Sequence, residues 1–182
     1  WDGSIARWTN GNGTQQNPFL IEDAAHLAFL AQSVNAGVLY ADTFFSISVD
    51  IDLNHLPWTP IGKNANYFYI GSFNGNNHKI SNLHIVDTIY HDGIVYTGLF
   101  GYVLDADIRN VRLCSDNKIF VSFTSGNNFY LGGVAGYAFS SQISDCYYEG
   151  EITCYAFTSY AYVGGIIGYS AAGTNIINCI NK

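Results

Sequence analysis

Methionine is absent from this chain of 182 residues, and its first residue is Trp1. The expectation is a processed chain or an excised piece of a larger protein rather than a translation product starting at residue 1. Charge is scarce too. Seven Lys and Arg stand against fourteen Asp and Glu, a net charge of −7, and charged residues make up 12% of the chain, about half the usual ~25%. The seven cations are scattered, whereas binding a polyanion needs cations clustered on one face. Nucleic acid and anionic membrane surfaces are therefore excluded as partners. No apolar run reaches the ~18 residues of a membrane-spanning helix, so direct membrane insertion is not expected. Cys114, Cys146, Cys154 and Cys179 form no CxxC and no Cys/His pair at zinc spacing. Their pairing and oxidation state do not follow from the sequence.

Hydrophobic residues are plentiful, at 48% of the chain, and so are glycine (19) and tyrosine (14). The polar surface must then come from Asn, Ser, Thr and Tyr, which suits an extracellular β protein. A repeat organises these residues. Two glycines flank two apolar residues at Gly98/Gly101, Gly133/Gly136 and Gly165/Gly168, and a tyrosine follows each time (Tyr102, Tyr137, Tyr169). Isoleucine comes next (Ile108, Ile143, Ile176), then Asn110, Asp145 or Asn178, then Val111, Cys146 or Cys179. ISNLHI reads as an upstream copy of the second half, with Ile80, Asn82, Leu83 and Ile85. A drifting period points to stacked coils with loops of variable length. In such a stack isoleucine points inward and the chain bends at Asn or Asp, which tolerate the left-handed conformation. The glycine pair permits a second tight corner. One coil cannot bury its own apolar face, but stacked coils share a continuous core. The expected fold is all-β, a parallel stack capped at its N-terminal end by one helix.

Residues 1–72 read as an N-terminal capping segment and 73–182 as the coils, together one continuous structural domain. Leu27, Leu30, Ala31 and Val34 fall on one face of a helix at about 22–35, with Glu22 and Asp23 at its start and Gly37 as its stop. From about 44 to 53, Phe45, Ile47, Val49, Ile51 and Leu53 alternate with Ser and Asp, which predicts one strand with a single buried face. The helix would cover the first coil. The last coil has no such lid, so either more coils follow in the parent protein or something else covers that edge, self-association being one such cover.

These residues resemble the GLUG repeat of bacterial surface proteins. GLFG at 98–101 is its literal form, and GVAG at 133–136 and GIIG at 165–168 are degraded copies. GTQQNPFLI, AAHLAFLAQSVNAG, DIDLNHLPWTPIG and GSFNGNNHKISNL, in that order, are similar to the module preceding such repeats. The resemblance implies a right-handed parallel β-helix (β-solenoid) exported to a bacterial cell surface in an adhesin-like protein. Some relatives join the repeat to an immunoglobulin A peptidase domain. The zinc-binding HExxH of that domain is missing from this sequence, so its activity does not carry over.

Two groups of residues are candidates for chemistry. Asp50/Asp52 and Asp105/Asp107 are paired acids that a glycosidase or a Ca²⁺ site could use, though solvated turn acids are the plainer reading. Calcium takes six to eight oxygens, more than DIDLN offers, so no cofactor is expected beyond an adventitious Ca²⁺. The second group is aromatic. Tyr147, Tyr148, Tyr155, Phe157, Tyr160 and Tyr162 could join into one patch across adjacent coils, with apolar faces and polar tips suited to glycan or peptide. Stacks that merely stabilise the sheet are the competing reading. The expected function is a non-catalytic surface module that binds glycan or a host surface protein. A carbohydrate-active β-helix enzyme and a pure spacer are the alternatives.

Overall fold

The computed structural model describes residues 1–87, 93–123, 128–156 and 160–182. One sheet stacks β1 (Phe19–Ile21), β2 (Phe44–Ile47), β4 (Ser72–Asn74), β9 (Asp107–Arg109), β13 (Gln142–Ser144) and β17 (Asn175–Ile177). A second stacks β3 (Ile51–Asp52), β5 (Lys79–Ser81), β10 (Arg112–Phe123), β14 (Tyr147–Ala156) and β18 (Ile180–Asn181), with β6 (His84–Asp87) also on β10. The third holds β7 (Val95–Thr97), β11 (Phe129–Gly132) and β15 (Ala161–Gly164). The fourth holds β8 (Phe100–Leu104), β12 (Ala135–Phe139) and β16 (Ile167–Ser170). Strands pair in parallel with the strand one coil away; β1 and β2, which α1 separates, are the consecutive strands that pair with each other. The result is a parallel β-solenoid of about four turns.

Register explains the repeat. Phe45, Phe73, Ile108, Ile143 and Ile176 share one column of the first sheet. The first four are fully buried, while Ile176 in the last coil is 47% exposed. Ile51, Ile80, Leu113 and Tyr148 form a second buried column. Each such side chain contributes about 1.5–3 kcal/mol on burial, but only when a coil lies on both sides of it. Cys146 takes the column place of Val111 and Cys179, since the Tyr147 amide donates to the Val111 carbonyl and the Ile180 amide to that of Cys146. All four thiols are free.

The asparagine corners carry the polar part of the signature. Asn110, Asp145 and Asn178 have φ of 55°, 54° and 53°, the left-handed region that Asn and Asp enter at least cost. Their side chains bond along the stack: Asn178 Nδ2 donates to Asp145 Oδ1 (3.3 Å) and Asn110 Nδ2 to Asn74 Oδ1 (2.9 Å).

The role expected of the glycine pairs is corrected for half of their members. Both glycines of each pair were expected to serve a corner. The bend lies at the first glycine and the residue after it, at 98–99, 133–134 and 165–166. The second glycines, Gly101, Gly136 and Gly168, lie inside strands β8, β12 and β16. They are needed for close approach and not for turning. A Cβ on Gly101 would run into the Gly62 carbonyl oxygen. On Gly136 it would lie 2.5 Å from the Tyr130 carbonyl oxygen, and on Gly168 2.6 Å from the Leu131 nitrogen. Backbones meet there too closely for any side chain. A glycine in sequence does not say which of the two reasons requires it.

Two further sequence expectations are corrected. ISNLHI is not the upstream copy of IRNVRL, because Ile80 pairs with Leu113, and the partner of Ile108 is Phe73. Asn82 is left-handed (φ 59°), but at the next corner of the coil. A coil has more than one Asn corner followed by inward residues, and the local pattern cannot tell them apart. The strand at 44–53 is likewise divided. The chain turns between sheets at residues 48–50, which leaves Val49 42% exposed between buried Ile47 and Ile51.

Helix α1 (Ala24–Asn35) starts at Asp23, whose Oδ1 accepts from the His26 amide at 2.7 Å. Leu27, Leu30, Ala31 and Val34 are buried in the same core as Ile21 and Phe45, at the β1 end of the stack. Asn117, buried and unsuspected from sequence, joins three coils. Its Oδ1 accepts from the Leu83 amide (2.9 Å), and its Nδ2 donates to the carbonyls of Cys114 (2.6 Å) and Glu149 (3.3 Å).

Leu99, in GLFG, is fully buried; its amide donates to Gly133 and its carbonyl accepts from Ile61. Leu99→Asp is expected to abolish the cooperative thermal transition, because an unpaired buried charge costs more than a marginal fold can absorb. A cooperative melt near that of wild type would contradict the shared core.

Candidate binding surface

The paired acids are occupied by the corners. Asp50 Oδ1 accepts from the Lys79 amide (2.9 Å) and faces His78 Nδ1 (3.2 Å). Asp52 Oδ1 accepts from Asn82 Nδ2 and from the Asn54 amide, both at 2.7 Å. These bonds favour the charged form and hold both carboxyls below the ordinary range. Asp107 is bound to Arg109 and accepts from the Ser72 hydroxyl, while Asp105 sits at a left-handed turn (φ 47°). Among the described residues, no three His, Cys, Asp or Glu side chains converge as metal ligands would.

The aromatic side chains chosen from sequence do not form one patch. Tyr147 and Tyr148 are neighbours on β14 and so point to opposite faces. Tyr148 is buried, its ring beside Gly133. Tyr147 lies outside, between the Arg112 guanidinium (5.1 Å from its ring centroid) and the Lys182 amine (5.6 Å). Tyr155 is 53% exposed and meets Phe120 edge-on at 5.9 Å. Tyr160 is the most open, 75% exposed. Phe157 lies outside the described residues. Tyr162 belongs to a different feature.

That feature is a double ladder of tyrosines. Tyr96, Tyr130 and Tyr162 stack face to face at 5.3 and 5.0 Å along β7, β11 and β15. Tyr102, Tyr137 and Tyr169 stack beside them at 4.7 and 5.4 Å along β8, β12 and β16. Each rung is closed by an edge-to-face contact: 5.2 Å for Tyr96–Tyr102, 5.3 Å for Tyr130–Tyr137 and 5.1 Å for Tyr162–Tyr169. Burial pushes the Tyr96 hydroxyl up to about 12 and raises those of Tyr102, Tyr130 and Tyr137. Sequence reasoning caught the second column and missed the first. The signal was present, because a tyrosine also precedes each glycine pair, in YTGLFGY, YLGGVAGY and YVGGIIGY. The corner at the first glycine folds the two flanking strands together and so brings the two tyrosines into contact.

A sugar stacks on a free ring face, and inside this ladder each face is covered by the next ring. The inner rungs therefore present edges and hydroxyls outward. The more exposed rings are those of Tyr155, Tyr160 and the rung of Tyr162 and Tyr169, the last two 39% and 38% exposed.

Residues 127–153, spanning one glycine pair and the corner after it, match the family model of the GLUG motif. The chain carries the GLUG motif. It is 36% identical over 141 residues to a "Putative Gly-rich membrane protein" of Evansella cellulosilytica. That alignment takes in 70% of this GLUG-motif chain and 15% of the relative, so the chain spans a small part of the relative's length. Among solved structures, a "putative immunoglobulin A1 protease" from Bacteroides ovatus superposes with a TM-score of 0.50 over 96% of this chain and 70% of that one. At 19% identity this likeness shows the fold alone. No helix of the described residues is long and apolar enough to cross a membrane.

The ladder predicts a ranking. Tyr137→Ala removes a ring stacked on both sides and is expected to cost about 2–4 kcal/mol in urea unfolding. Tyr160→Ala, at the open edge, should stay within about 0.5 kcal/mol of wild type. Equal effects would mean that the stacking does not stabilise the coils.

Proposed function

We propose that this chain is a non-catalytic binding module of a bacterial cell surface. In this reading the solenoid is a rigid support, and exposed aromatic side chains on it recognise glycan or a host surface protein. The observation that carries the reading is the contrast between acids and aromatics. Asp50, Asp52 and Asp107 are engaged in hydrogen bonds or an ion pair, whereas Tyr155 and Tyr160 stand 53% and 75% exposed. The GLUG motif and the Gly-rich relative, named as a membrane protein, support a surface location.

A spacer is the second reading, and the ladder favours it, since stacked faces stiffen a stalk without offering a surface. A screen of residues 1–182 against host and bacterial glycans and host surface proteins separates the two. The adhesion reading expects binding that weakens in a folded Tyr155→Ala/Tyr160→Ala variant. No binding to any arrayed ligand would leave the spacer.

A further inference from the structure

The N-terminal segment, α1 and the loop after β3 enclose a cleft of about 580 Å³, within the range of small-ligand sites. Trp1, Leu56 and Trp58 line one side, and Ala28, Ala31 and Gln32 of the helix line the other. The walls are fixed by bonds that do not use the cleft. Asn54 Nδ2 donates to the Trp1 carbonyl (2.8 Å), and the Trp1 indole N–H donates to the Ser4 carbonyl (2.8 Å). The Trp58 indole donates to the Leu99 carbonyl (3.2 Å), which ties this wall to the GLFG corner. Asn35 Nδ2 donates to the Pro60 carbonyl (2.9 Å), and its Oδ1 accepts from the Lys63 amide (2.8 Å), clamping the loop to the helix. Trp1 and Trp58 meet edge to face at 6.2 Å; Trp58 is buried and Trp1 half-buried, so Trp1 supplies the more accessible ring of the cleft.

The polar groups at the rim narrow the ligand. Among the described residues, Gln32 and Thr59 make no side-chain hydrogen bond within the protein, and both are exposed. Asp2 Oδ1 accepts from the Ser4 amide, and its carboxylate is exposed. The rim thus offers an amide, a hydroxyl and a carboxylate oxygen. The charges at the rim are that acid and the neighbouring Trp1 amino group, which offset one another, in a chain of net charge −7. Such a rim has no net positive charge to hold a carboxylated or phosphorylated ligand. It suits a molecule with an apolar ring face and a rim of neutral hydroxyls.

We propose that this tryptophan cleft binds a pyranose ring of a neutral glycan. The proposal rests on the glycan-binding reading above and adds a second sugar site, in the cleft, to the exposed tyrosines. The ring would lie against the Trp1 indole with its hydroxyls toward Gln32, Thr59 and Asp2.

The chain has three tryptophans, Trp1, Trp8 and Trp58, and Trp8 is buried outside the cleft lining. Indole N–H resonances therefore give a site-specific readout with an internal control. In residues 1–182, titration with maltose, cellobiose and lactose to about 10 mM should shift the Trp1 and Trp58 signals for at least one sugar and leave Trp8 in place. A uronic-acid disaccharide should shift neither. Trp1→Ala should weaken the responding sugar at least about tenfold without changing the melt, Gln32→Ala should weaken it less, and Trp1→Phe should restore most of it. Full affinity in Trp1→Ala would overturn the proposal, as would the absence of any indole shift with every neutral sugar. If a ligand from the glycan and host-protein screen is lost in Tyr155→Ala/Tyr160→Ala but kept in Trp1→Ala, the cleft fails and the adhesion reading stands. If wild type binds nothing in either assay, both fail.

Discussion

The hydrogen bond from an amide of one coil to the carbonyl of the next is the constraint on which this molecule depends. It fixes neighbouring coils at the ordinary strand spacing of about 4.8 Å and forces equivalent positions into columns. Each column must then be filled by residues that tolerate copies of themselves above and below. Apolar side chains satisfy this inside, as in Phe45, Phe73, Ile108 and Ile143. Asn and Asp satisfy it at the corners by bonding along the stack. Tyrosine satisfies it outside, face on face.

The same constraint shapes function. A regular column uses up much of the binding capacity of its own members, because stacked rings hide their faces and corner side chains bond to one another. Recognition then falls to places where the stack is interrupted. The exposed Tyr155 and Tyr160 and the N-terminal segment laid across α1 are two such interruptions. Of these two, the second encloses a volume, and it does so with two of the three tryptophans.

Much of the fold was legible because coil stacking writes itself into the sequence. Recurring glycine pairs, inward isoleucines and corner asparagines announced parallel coils, and the helical spacing of Leu27, Leu30 and Val34 announced the lid. What misled was local likeness. ISNLHI and IRNVRL encode the same corner geometry, and only pairing across coils reveals that Ile80 sits opposite Leu113. Gly98 and Gly101 look like two halves of one turn, yet Gly101 is a strand residue kept small by the backbone of Gly62. The alternation from Phe45 to Leu53 concealed a turn, since a corner that keeps both flanks inward preserves period two except at Val49. The site was less legible still. Tyr147 and Tyr148 are adjacent in sequence and opposite in space. Trp1, Trp58 and Gln32 are far apart in sequence, so no spacing rule links them.

Amide hydrogen exchange tests the central claim most directly, because the stack is defined by bonds between coils. The amides of Leu99 and Phe100 donate to Gly133 and Val134, and those two donate in turn to Gly165 and Ile166. If the coils stack as described, these four amides exchange only through global unfolding, at a common free energy, while those of β17 and β18 at the open end exchange far faster. Exchange of Leu99, Phe100, Gly133 and Val134 at the rate of an unstructured peptide would contradict the account.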